Sequence, residues 1–109
     1  MSRQNFSNRE PFGQTALDDK TDFERPKLYG VRIHNDDYTP MDFVVLLLIK
    51  VFRKTQGDAT EIMMDIHQKG ERVVGIYSYD VAVTKRTQAQ VMADQSGHPL
   101  KITMDEVME

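Results

Sequence analysis

A chain of 109 residues, 39% of them hydrophobic, has room for one modest core and not for two domains. Its formal charge of −3 and pI near 5.6 argue against a nucleic-acid-binding stripe, and no run of basic residues is long enough for a polybasic membrane patch. It contains no cysteine, which excludes disulfides, thiolate metal sites and a Cys nucleophile.

Residues 1–25, MSRQNFSNREPFGQTALDDKTDFER, are polar and lack a sustained period, so a flexible N-terminal extension is expected there. Phe6, Phe12, Leu17 and Phe23 are its few apolar residues available to a partner. The segment has no basic-then-apolar secretory layout and is too acidic for a usual transit peptide. The longest uncharged apolar run, Phe43 to Ile49, is too short to cross a bilayer, so a cytoplasmic protein without a membrane span is expected. The folded domain is expected over residues 26–109.

KLYGVRIH alternates, with Tyr29, Val31 and Ile33 on one face and Arg32 and His34 on the other, as in a half-buried strand. In TPMDFVVLLLIKVFRKT, Thr39 reads as N-cap, Pro40 as the first helical residue and Asp42 as the N3 acid. Nearly every position from Met41 to Phe52 is apolar, so this helix is expected to be buried on more than one side. GDATEIMMDIHQKG predicts a second helix, opened by an Asp58/Glu61 box and closed by Gly70 in the left-handed region. RVVGIYS reads as a second strand. Val81, Ala82, Lys85, Ala89, Met92 and Ala93 recur at helical spacing up to Gly97, and LKITM alternates as a third strand. The order β-α-α-β-α-β predicts an α+β fold, a small sheet packed against three helices.

Most catalytic signatures are missing. No histidine sits in a recognised metal spacing, Asp36 does not open a calcium loop, and neither a phosphate-cradling glycine loop nor a G-x-S-x-G elbow occurs. A metal-dependent hydrolase built from His34, Asp36, Asp37 and His67 is the enzyme alternative; a structural domain without a pocket is the other.

Asn35, Asp36 and Asp37 can be simple turn formers, and Met41 and Met63 can be core filler. They can also converge. Met63, Ile66 and His67 share one face of the second helix, and packing that helix beside the first brings His67 toward the Asn-Asp-Asp loop. A polar end of Asn35, Asp36 and His67 joined to an apolar floor suits an ammonium on a hydrophobic side chain. Such a group has three donors and no acceptor, and a carboxylate adds charge assistance. An α-amino group, with a pKa of ~7.7–8, is largely charged at neutral pH and is a known recognition target. A neutral imidazole is needed to accept from it, so binding is expected to weaken below about pH 6.5.

The segments VRIHNDDYTPMDFVVLLL and IMMDIHQKG, followed by G-[IV]-[FY], a VA…TK stretch and HPL, resemble ClpS, the bacterial adaptor family of the N-end rule pathway. The resemblance runs from about Tyr29 to Thr103. It implies a fold like the C-terminal domain of ribosomal protein L7/L12 and no catalysis; no cofactor is expected, and nothing in the sequence suggests more than a monomer. It further implies binding of proteins that begin with Leu, Phe, Tyr or Trp (N-degrons) and their delivery to a ClpA-type AAA+ unfoldase for degradation by ClpP. Asn35, Asp36 and His67 match the α-amino-binding residues, with Asp37, Thr39 and Pro40 shaping the loop. Met41, Val44, Met63, Ile66 and Leu100 match the wall of the side-chain pocket, Met41 in the place of a gatekeeper against β-branched first residues. Asp80 and Lys85 match positions presented to the unfoldase's N-terminal domain; an acidic position often found between them is Val83 here. The N-terminal extension is implied to matter for delivery more than for unfoldase binding.

Overall fold

The computed structural model describes residues 25–107, so the expected extension before them lies outside the described residues. The elements are β1 (Leu28–His34), α1 (Met41–Lys50), α2 (Gln56–Lys69), β2 (Glu71–Ser78), α3 (Tyr79–Gln95) and β3 (Lys101–Glu106), the order expected. The three strands form one antiparallel sheet in the order β2-β1-β3. Alternation decides its two faces. Val31 and Ile33 are fully buried together with Val74 and Ile102, whereas Arg32 and His34 point to the other side.

The helices cover the apolar face. α3 crosses all three strands, α2 packs on β2, and α1 packs on α2. Ala82, Ala89 and Ala93 are the buried residues of α3, and their small side chains let the helix lie close on the sheet. Val44, Leu47 and Leu48 of α1 complete the core with Ala59, Ile62 and Ile66 of α2.

The ends of the helices depart from expectation in instructive ways. α1 begins at Met41 with Pro40 as its N-cap, and the Thr39 hydroxyl does not cap it; the Pro40 carbonyl accepts from the Phe43 and Val44 N–H groups. The helix stops at Lys50, and the chain reverses at Arg53, a non-glycine residue at φ 59°. Val51 and Phe52 nevertheless stay in the core, while Met41 and Leu46 leave one flank of α1 exposed. α2 begins two residues before Asp58, and the cap is Thr55, whose hydroxyl oxygen accepts from the Asp58 N–H at 3.1 Å. Gly70 ends α2 at φ 93°, as its position predicts.

One glycine is required by packing. A β-bulge interrupts the β1–β2 register beside Val31, and there the Tyr77 ring folds back over Gly75, where a Cβ would overlap it. Burial pushes the Tyr77 phenol above its usual pKa. Among the described residues no helix is long and apolar enough to cross a membrane.

Candidate functional site

Where β1 ends, the Asn35 N–H donates to the Gly70 carbonyl at 2.8 Å. That single backbone bond joins the loop after β1 to the C-terminus of α2, three residues beyond His67. The loop itself is built on Asp36. Its Oδ2 accepts from the Tyr38 N–H at 3.1 Å and from the Thr39 hydroxyl at 2.8 Å, and the Asp36 carbonyl accepts from the Thr39 N–H at 3.2 Å. This is an Asx turn closed by a charge-assisted side-chain bond. It explains why Thr39 does not cap α1: its proton goes to a carboxylate, and the side chain is buried to 8% exposure doing so.

Between this loop, α1, α2 and the segment before β3 lies a cavity of about 140 Å³. Asn35, Asp36, Asp37, Thr39 and His67 line one end; Met41, Val44, Met63, Ile66 and Leu100 line the rest. Every site residue expected from the loop and the two helices is therefore brought to one cavity, except Pro40, which stands outside it as the N-cap of α1. Val44, Ile66 and Leu100 are buried and make the floor, while Met41, 43% exposed, stands at the rim.

The polar end is rich in acceptors without partners. Among the described residues nothing hydrogen-bonds to the Asn35 side chain, to the His67 ring or to the second carboxylate oxygen of Asp36, and no cation pairs with Asp36 or Asp37. The C-terminal end of α2 adds the partial negative charge of its carbonyls on the same side. An arrangement of this kind can take a cation with several donors that carries an apolar group. The volume is close to the ~150 Å³ of an apolar cavity that admits a benzene ring.

Two supports of the floor carry no sequence signal for that role, although His98 belongs to the HPL motif. Gln90 of α3 donates from Nε2 to the Leu100 carbonyl at 3.0 Å, and its Oε1 accepts from the Ile102 N–H at 3.1 Å. His98 meets Phe43 edge-on at 4.5 Å, holding the chain ahead of Leu100 against α1. A glutamine on an amphipathic helix reads as solvent-facing, and only the fold puts it beside a strand entry.

The other expected residues fall elsewhere. Asp80 is exposed in the first turn of α3. Lys85 is half-buried, and its ammonium donates to the Val51 carbonyl at 2.7 Å, tying α3 to the end of α1. Val83, between them, is half-buried. The hydrolase alternative loses one of its four residues: His34 faces the opposite side of the sheet, where its ring contacts Glu71 and Thr103. Among the described residues no group of three or more His, Asp or Glu side chains is placed to hold a metal ion.

Comparison with known proteins agrees with the geometry. The profile of the family described as ATP-dependent Clp protease adaptor protein ClpS matches residues 24–103. An ATP-dependent Clp protease adapter protein ClpS from Lawsonia intracellularis is 41% identical over 109 residues, the whole of both chains. Its counterpart from Acetivibrio thermocellus is 52% identical over 84 residues, covering 77% of this chain and 85% of that one. Among solved structures, Agrobacterium tumefaciens ClpS2 bound to L-phenylalaninamide superimposes with a TM-score of 0.74 at 40% identity, covering 76% of this chain and 100% of that one. By the loop, the cavity and these relatives together, the chain belongs to the ClpS family of ATP-dependent Clp protease adaptor proteins.

Proposed function

We propose that the cavity binds the first residue of a polypeptide whose α-amino group is free and whose first side chain is Leu, Phe, Tyr or Trp. The observation that carries this reading is that Asn35, His67 and the second Asp36 oxygen, side-chain atoms without hydrogen-bond partners among the described residues, share one space of ring size with an apolar floor. The α-ammonium donates to Asn35, to the open oxygen of Asp36 and to a neutral His67, and the side chain enters toward Val44, Ile66 and Leu100. L-Phenylalaninamide, the molecule bound to the Agrobacterium relative, combines the same two features, a free α-amine and a phenyl group. Burying the first side chain contributes about 1.5–3 kcal/mol. Leaving the Asp36 charge desolvated without the ammonium costs ~2–5 kcal/mol, which makes the amine the selective element.

No bond is made or broken in this reading. The protein works in the cytoplasm as an adaptor, handing the captured chain to the N-terminal domain of a ClpA-type unfoldase through the surface around Asp80 and Lys85. The test is a titration with peptides beginning with free Phe, acetylated Phe, Ile or Val. Free Phe is expected to bind, acetylated Phe to lose about thirtyfold or more, and Ile and Val to bind poorly because Met41 crowds a branched Cβ. Equal affinity for the free and acetylated peptides would reject the assignment.

A further inference from the structure

The face of the sheet away from the helices carries a line of polar contacts centred on His34. Its Nδ1 lies 3.2 Å from Glu71 Oε1 on β2, and its Nε2 lies 2.8 Å from Thr103 Oγ1 on β3. Arg32 backs the same line, 3.6 Å from the other Glu71 oxygen and 3.8 Å from Asp105. With its proton on Nδ1 the ring donates to Glu71 and accepts from the Thr103 hydroxyl, so both ring nitrogens are satisfied. The ring therefore spans the central strand and ties it to both neighbours.

The place of this tie matters more than its strength. His34 is paired in register with Glu71 on one side and Lys101 on the other. From that end of the sheet three segments leave for the cavity. Asn35 and Asp36 follow His34 directly; Gly70, which accepts the Asn35 N–H, precedes Glu71 and follows the His67 turn; and Leu100 precedes Lys101. The polar end and the floor thus hang from three adjacent strand ends; Arg32 and His34 both bridge the three strands, and His34 is the one that stands at those ends.

We propose that His34, through Glu71 and Thr103, is a positioning residue that sets the spacing of the amine-binding loop against His67 and Leu100. It touches no ligand. The inference rests on the amine-binding reading of the cavity, and it assigns to the outer face of the sheet a role in selectivity as well as in stability.

The decisive variant is Thr103→Val. It removes the hydroxyl at nearly constant size, and valine suits a strand, so the fold is retained. Affinity for a peptide with a free N-terminal Phe is expected to fall about two- to tenfold, the equivalent of one hydrogen bond. Affinity for the acetylated peptide stays where it was, so the free-to-acetylated ratio narrows. Thr103→Ser keeps the hydroxyl and is expected to restore wild-type affinity. His34→Phe loses the Glu71 contact as well and is expected to fall at least as far as Thr103→Val, and the double variant no further than His34→Phe, because the bond that Thr103→Val breaks is already gone in His34→Phe. Wild-type ratios in Thr103→Val and His34→Phe, or a loss in Thr103→Val that Thr103→Ser shares, would overturn the positioning role while leaving the cavity reading intact. A wild-type protein that does not separate free from acetylated peptide would instead overturn the cavity reading, and the positioning role with it.

Discussion

Replacing Asp36 by asparagine separates the two tasks of one carboxylate. Oδ2 already holds the loop, accepting from the Tyr38 N–H and the Thr39 hydroxyl, while the other oxygen has no partner among the described residues. Asparagine is nearly the same shape. Its amide oxygen can take over both loop bonds, which leaves its NH₂ group at the cavity, a donor facing a donor where the ammonium is to bind. The loop should therefore survive and the amine site should not. The loss is one charged hydrogen bond, about 1.5–3 kcal/mol, or roughly 10- to 150-fold in affinity. Asp36→Ala removes the loop bonds too and should cost more in both affinity and melting temperature. The assay is fluorescence anisotropy with a peptide labelled at its C-terminus, free or acetylated at an N-terminal Phe, alongside thermal melts of each variant. Acetylation and Asp36→Asn remove the same interaction, so their effects should fall well short of additive in a double-mutant cycle. Full additivity, or wild-type affinity for the free peptide in Asp36→Asn, would refute the role given to this residue.

Met41 stands 43% exposed at the rim, so Met41→Ala should cost little stability yet let branched first residues in, improving Ile and Val peptides by about fivefold, the relief of ~1 kcal/mol of overpacking; competition against a Phe peptide reads this out. Gly75→Ala places a Cβ in the Tyr77 ring and should destabilise by about 1–3 kcal/mol in urea unfolding, with recovery when Tyr77 is also made Val. Lys85→Met loses the bond to the Val51 carbonyl and should lower the melting temperature by about 4–8 °C, the equivalent of ~1 kcal/mol in a domain of this size. Asp80→Asn, on an exposed turn, should leave the melt nearly unchanged and weaken only binding to the unfoldase N-terminal domain.

Periodicity and end signals made the six elements legible, because helix and strand patterns are set by near neighbours in the chain. Gly70 stops α2 for such a reason: its left-handed conformation is a property of one residue and its immediate carbonyls. Family membership was legible for a related reason, since the loop and the His67 turn are contiguous motifs. Ambiguity began wherever a side chain had two possible partners. Thr39 reads as a helix cap in the sequence, yet its proton goes to Asp36, a charged acceptor that outcompetes a backbone cap. Thr55, not singled out by the sequence, caps α2 because the chain reversal at Arg53 delivers it there.

The sequence by itself determined the order of elements, the acceptor-rich loop and the apolar residues that could face it. Whether those residues enclose a space was decided only by tertiary structure. The cavity exists because the Asn35–Gly70 bond docks the loop on α2, because Gln90 ties Leu100 to α3, and because His98 packs the chain ahead of Leu100 on Phe43 of α1. Those contacts join residues far apart in the chain, and no local pattern encodes them. The same holds for His34, whose partners Glu71 and Thr103 become neighbours only when β2 and β3 pair with β1 from either side.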